Sequence, residues 1–305
     1  MSDNIAEELE ELPEDDENVS PSGMRILWRE LVSDKLALFS FIYFATITVV
    51  VFTLAFIMDL DEIMQVKPQF MHEPPSKEFW LGTDKGGRDV FGQLIIGTRN
   101  SLLIGFIITF AASFIGISVG LTAGYFGGTV DNILMRIVDF FLVLPFLMIV
   151  IVFVSIVPKY SIISFSAIMT IFLWMGKARL IRSRALQERE LEYVHAAKTL
   201  GTSNFKIMVT HVLPNLTSII IVNLTLTLAN NIGIESGLSF LGFGFPEDTP
   251  SLGTLMSYAT DPITLEKRLW VWLPAAILIL TLMLSVRNVG EVFKRATDAR
   301  QRRSG

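Results

Sequence analysis

Four short stretches carry the residue types that catalysis or nucleotide binding uses, and none has the required spacing. Gly82 to Asp89, GTDKGGRD, has glycines but lacks the Lys-Ser/Thr that would hold phosphate and magnesium. Met175-Gly176-Lys177-Ala178-Arg179 has Gly-Lys without an upstream glycine loop. Met71-His72-Glu73-Pro74-Pro75 lacks the second His of a zinc-protease helix, and Gly237 to Gly242, GLSFLG, is one residue too long for a nucleophile elbow. The other polar groups with chemical reach lie inside apolar runs. Asn223, Thr227, Asn230 and Asn231 fall on roughly one side of a helix, with Thr225 off it. Thr109, Ser113 and Thr122 are polar positions of an earlier run. Amides and hydroxyls at membrane depth either face a watery path or tie helices together, and these seven, Thr225 aside, are expected to line such a path. Glu235 must be near water, paired or protonated, and its place near the end of its run favours a structural role. Arg136 and Asp139, three apart, can pair on one helix face.

These groups need helices to position them, and the composition supplies them. Apolar residues make up 51% of the 305, and no cysteine is present, so disulfides, thiolate metal sites and cysteine lipid anchors are excluded. A bilayer needs roughly 20 apolar residues per helix. Leu36–Met58, Ser101–Tyr125, Ile133–Val157, Ile162–Met175 with the preceding Ser161, Asn215 to about Leu241, and Leu269–Ser285 supply six runs. The class is an all-α membrane protein with six transmembrane helices. Residues 1–24 concentrate nine of the 30 acids and have no apolar face, so they read as a disordered acidic tail without the features of a cleaved signal. Residues 25–100 hold the first span and an outer loop, and residues 101–290 hold the remaining spans. Residues 291–305 form a basic tail. Arg25, Arg29 and Lys35 precede the first span. Lys177, Arg179, Arg182, Arg184 and Arg189 follow the fourth, and Arg287, Lys294, Arg295, Arg300, Arg302 and Arg303 follow the sixth. Six crossings put all three groups on one side, the cytoplasmic one, with both termini.

One cytoplasmic segment, about 181–214, differs from its surroundings. Arg182 to Leu200 has helix-forming residues and no proline. Gly201 stops that helix, and Ser203 can cap a second one over Asn204–His211. Pro214 fits the first turn of span five. Phe205, Met208, Val209 and Val212 form an apolar stripe, and Ala196 and Ala197 let another surface approach. The segment is either an amphipathic loop on the lipid surface or a rigid lever for a soluble partner.

The order Ala196-Ala197, three residues, Gly201, nine residues and His211 ahead of Leu213-Pro214 resembles the "EAA" loop of ABC importer permeases. Residues 230–256, NNIGIESGLSFLGFGFPEDTPSLGTLM, resemble the peptide/nickel branch of that family. So do 79–102, FWLGTDKGGRDVFGQLIIGTRNSL, and 136–149, RIVDFFLVLPFLMI. The layout is similar to the C-type subunit of oligopeptide and dipeptide permeases. The likeness runs from about residue 24 onward. It implies a type I importer permease fold in a bacterial plasma membrane, with Glu192, His195, Ala196, Ala197, Lys198, Gly201, Ser203, Phe205 and Pro214 in a two-helix loop that couples to ATPases. It implies a homologous second permease, two ABC ATPase subunits, an external substrate-binding protein and a bilayer as partners, with no nucleic acid. The chain would be no enzyme and bind no cofactor, ATP and magnesium residing on the ATPases. The expected cargo is an oligopeptide or dipeptide; a nickel chelate or sugar is the alternative within the family, and a stand-alone channel or secondary transporter the alternative outside it. His195 stands where the family often has Glu, so an acid–base contact there is not carried over, although Glu192 lies about one turn away.

Overall fold

The computed structural model describes residues 23–157, 161–246 and 248–304; the acidic stretch before Gly23 lies outside them. The described residues are helical, with one isolated bridge, Thr83 to Asp89. The elements are α1 Gly23–Ser33, α2 Lys35–Ile57, α3 Leu60–Met64, α4 Val90–Phe126, α5 Gly128–Val143, α6 Phe146–Ile156, α7 Ile162–Leu173 and α8 Met175–Glu188. Then follow α9 Glu192–Thr199, α10 Asn204–Ile207, a π turn Met208–Val212, α11 Leu213–Asn215, α12 Thr217–Phe240, α13 Leu252–Ser257, α14 Pro262–Lys267 and α15 Leu269–Ser304.

Among the described residues, four helices are long and apolar enough to span a bilayer alone: α2, α4, α12 and the Leu269–Thr297 part of α15. Two more crossings arise if each bent pair counts as one span, α5 with α6 at 71° and α7 with α8 at 43°. The first bend falls at Pro145, whose missing N–H breaks the ladder, as the sequence suggests.

Several boundaries differ from the sequence reading, each for a local reason. α4 begins at Val90 because Asp89 caps it, accepting from the Phe91 and Gly92 amides at 3.2 and 3.0 Å. Residues 90–100 are therefore helix and not outer loop. α1 starts at Gly23, ahead of the first span, and Asp34 caps α2 through the Leu36 and Ala37 amides. The Asp34 carboxylate also meets Arg295 at 2.9 Å. Residues 291–304 are the last turns of α15 and not a separate tail.

The closest helix packing joins α4 to α8. Gly116, Gly120 and Gly124 stand four residues apart on α4. A Cβ on each would lie 2.7, 2.4 and 2.6 Å from the carbonyl oxygens of Trp174, Ala178 and Arg182. Backbone therefore rests on backbone, the arrangement small residues permit where no hydrophobic effect drives helices together in lipid. Charged contacts extend the packing. Arg182 makes a two-pronged pair with Asp131 of α5, both bonds 2.5 Å, and Arg179 pairs with Asp139 at 2.5 Å. Asp139 thus pairs across helices, and not with Arg136 one turn away.

Gly120→Val should lower the thermal midpoint in detergent by an overpacking cost of about 1–3 kcal/mol. Gly176→Ala, whose added Cβ meets nothing within 4 Å, should leave it unchanged or raise it. Equal midpoints for both variants would remove the glycine contact from the account.

Candidate coupling surface and polar path

The polar segment after α8 folds as two short helices at a corner. The sequence predicts one helix from Arg182 to Leu200, but the chain breaks between Glu188 and Glu192. Helix propensity is overridden by tertiary contacts. Arg189 turns its guanidinium to the Gly124 and Tyr125 carbonyls at the end of α4, 3.4 and 3.5 Å away. Tyr193 donates to Glu188 at 2.6 Å across the break. Burial first, then the Glu188 carboxylate, push the Tyr193 phenol up to about 12, so it stays a donor across the physiological range.

α9 ends as the glycine requires. Gly201 has φ of 79°, Thr202 N–H donates to Ala197 at 3.1 Å and Gly201 N–H to Lys198 at 3.0 Å. This double closure satisfies carbonyls the helix end would strand. Ser203 sits at the cap position of α10, but its side chain makes no capping bond. The second helix is α10 and a π turn in place of one regular helix to His211. Pro214 falls in the short α11, just ahead of α12.

The apolar stripe divides in two. Val194, Ala197, Ile207, Met208 and Val212 pack with Leu121, Tyr125, Ile181 and Ala185 in one buried cluster. Leu200, Phe205 and Val209 point away, 84, 71 and 40% exposed. Tyr125 donates to Asn204 at 2.9 Å, and Lys198 lies 5.3 Å over the Tyr125 ring. Lys198 is thus tied to its own chain. Glu192, His195, Ala196, Gly201, Ser203, Phe205 and Pro214 are exposed, whereas Ala197 is buried. Ala197 cannot therefore offer a close approach to another molecule; its small size fits the interior.

The polar residues of the spans divide too. Thr109, Ser113 and Asn231 are buried. Asn231 donates to the Thr109 hydroxyl at 2.9 Å, Ser113 donates to the Thr109 carbonyl at 2.5 Å, and Lys177 of α8 donates to Ser113 and, at 3.3 Å, to the Thr109 carbonyl. These groups bind α4, α8 and α12 to one another. Asn223 and Thr227 are half-buried, Thr227 donating to Asn223 at 3.4 Å, and Asn230 is exposed. Thr122 is half-buried and donates to its own helix at Ser118. Glu235 is fully buried, accepting from Ser101 and Ser239 at 2.8 and 2.9 Å, while Ser101 accepts from the Leu252 amide. It locks α4, α12 and α13 together, in line with a structural role.

Residues 116–299 match the model of the family described as binding-protein-dependent transport system inner membrane component. The chain belongs to this family. Its members are membrane permease components of ABC transport systems, so the channel and secondary-transporter alternative falls away, and the chain works with other ABC transporter components in a membrane. The chain is 42% identical to the oligopeptide transport system permease protein OppC of Lactococcus lactis, over 89% of this chain and 93% of that one. It is 38% identical to an OppC of Mycobacterium tuberculosis, over 75 and 79%. It is 36% identical to the dipeptide transport system permease protein DppC of Bacillus subtilis, over 90 and 85%.

Within this permease the loop after α3 holds a contact that sequence reasoning did not single out. Arg268 lies 3.0 Å from His72 Nε2, and because guanidinium only donates, that nitrogen accepts and the ring is neutral. Burial first, then the Arg268 charge, hold the His72 imidazole below its ordinary 6.5. A lowered folded value gives stability that is complete above the ordinary value and is lost as pH falls through the lowered one. Trp270 donates to the Thr83 carbonyl of this loop at 3.4 Å, so acidification below about 6.5 should loosen that contact, read by tryptophan fluorescence, and His72→Gln should abolish the pH dependence.

Ala197→Leu should cost about 1–3 kcal/mol of stability, whereas Ala196→Leu should change it by less than about 0.5 kcal/mol. Thermal unfolding of the two purified variants makes the comparison.

Proposed function

We propose that this chain is the C-type permease subunit of an ATP-driven peptide importer, and that its two-helix corner docks on the ATPase subunits. The carrying observation is the division of the corner into a buried face fused to α4 and α8 and an exposed tip of Leu200, Phe205 and Val209. A loop resting on lipid needs a continuous apolar face; a lever needs a fixed root and a protruding knob. Arg179, Arg182, Arg184 and Arg189 lie at the root, which supports a cytoplasmic setting. Counting each bent pair as one crossing gives six spans with both termini on that same side.

The names of the similar proteins, oligopeptide and dipeptide permeases, support peptide as cargo. In this reading a homologous second permease completes the path, an external binding protein delivers the peptide, and two ATPases hold the ATP and magnesium, which this chain does not itself bind. It carries no catalytic site. Closure of the ATPases draws the corners of the two permeases together, and α4 and α8 swing with them. Asn223, Thr227 and Asn230 face the path, where amide and hydroxyl groups can hydrogen-bond a peptide backbone of any sequence. Thr109, Ser113 and Asn231 set the backbone behind it.

Phe205→Asp with Leu200→Asp should leave the thermal midpoint of the isolated subunit unchanged but strip the ATPases from the complex on purification and abolish ATP-dependent uptake. Full retention of the ATPases with both changes would contradict docking at this tip.

A further inference from the structure

A cavity of about 830 Å³ opens between α12 and α15. Its deeper wall holds Asn230 beside Leu226, Leu280 and Leu284, and its mouth holds Arg287, Glu291 and Lys294. Asn230 is exposed near the midpoint of the 24-residue α12. An amide bare to hydrocarbon at that depth is costly, so water or a polar ligand fits this space better than lipid tails. The mouth lies where the apolar part of α15 gives way to charge.

The charges at the mouth are arranged along one helix face. Arg287, Glu291 and Lys294 are spaced four and three residues apart. Arg287 Nε meets Glu291 at 3.0 Å, and Arg295 is drawn aside to Asp34 at 2.9 Å. Lys294 is exposed and makes no hydrogen bond or ion pair among the described residues. Two cations thus flank one carboxylate, with a positive charge left over. A ligand bearing a free carboxylate can take up that charge, and an ammonium on the same ligand can lean toward Glu291. A neutral ligand gains nothing there.

We propose that this cavity is the inner vestibule of the path and that Lys294, with Arg287, receives the free carboxylate of the cargo as it leaves for the cytoplasm. This rests on the reading of α12 as path-lining and adds to it the charge class of the cargo, a free acid or zwitterion. Lys294 and Arg287 then favour free-acid peptides over their amides at the exit, independently of what the external binding protein selects.

The test uses the complete transporter in proteoliposomes and has two arms. In the first, Asn230→Cys is introduced into this naturally cysteine-free chain and treated with a membrane-impermeant maleimide from the ATPase side. In the second, uptake of alanine oligopeptides as free acids is divided by uptake of their C-terminal amides, so that any preference of the binding protein cancels between variants. Labelling is expected, and Lys294→Gln should lower the acid-to-amide ratio about three- to fivefold, the scale of an exposed ion pair. Lys294→Arg should restore the ratio. Labelling with an unchanged ratio, or a loss that Arg does not rescue, overturns the carboxylate subsite while leaving the path reading in place. An unreactive cysteine overturns both.

Discussion

The architecture depends on one steric condition: α4 and α8 must touch backbone to backbone. Three glycines spaced four apart meet three carbonyls spaced four apart, and no larger side chain fits between them. In a bilayer this contact cannot lean on the hydrophobic effect, because lipid tails are as apolar as the helices. Dispersion and fixed dipoles must hold it, and both fall steeply with distance. The buried hydrogen bonds of Thr109, Ser113, Lys177 and Asn231 add direction to that contact. The Arg182–Asp131 pair carries it on to α5.

The two-helix corner inherits its rigidity from this contact. Its buried residues share one cluster with the ends of α4 and α8, so the corner is a continuation of them and not a loop hung between spans. Arg189 and Tyr125 stitch the same junction with hydrogen bonds. A push on Leu200 and Phe205 therefore meets a stiff body. On the opposite face Glu235 and its serines fasten α12 and α13 to α4, so displacement of α4 is shared with the helix that carries Asn223, Thr227 and Asn230.

Much of this was legible in the sequence. The apolar runs marked the spans, Pro145 marked a bend and Gly201 marked the end of a helix. What stayed hidden was direction. Periodicity placed Phe205 and Met208 on one stripe, yet only packing decides that Met208 turns in and Phe205 out. Asn230 and Asn231 are neighbours in sequence and face opposite surroundings for the same reason. The break at Glu188–Glu192 carries no glycine or proline to announce it. The glycine spacing at 116, 120 and 124 is a readable sign of close helix approach, but it does not name the facing helix. Charged partners were hard to assign because Asp139 had an arginine one turn away and another on a neighbouring helix, and sequence distance favoured the wrong one.

The central claim is that the corner and α4 move as one body when nucleotide binds elsewhere in the complex. Spin labels on single cysteines at exposed Lys206 and exposed Phe114 measure this directly, since the chain has no native cysteine. In the assembled transporter, the account predicts that this distance is the same in nucleotide-free and ATP-trapped states, while the distance between the two permeases' corners shortens. A change in the Lys206–Phe114 distance comparable to the change between corners would contradict it.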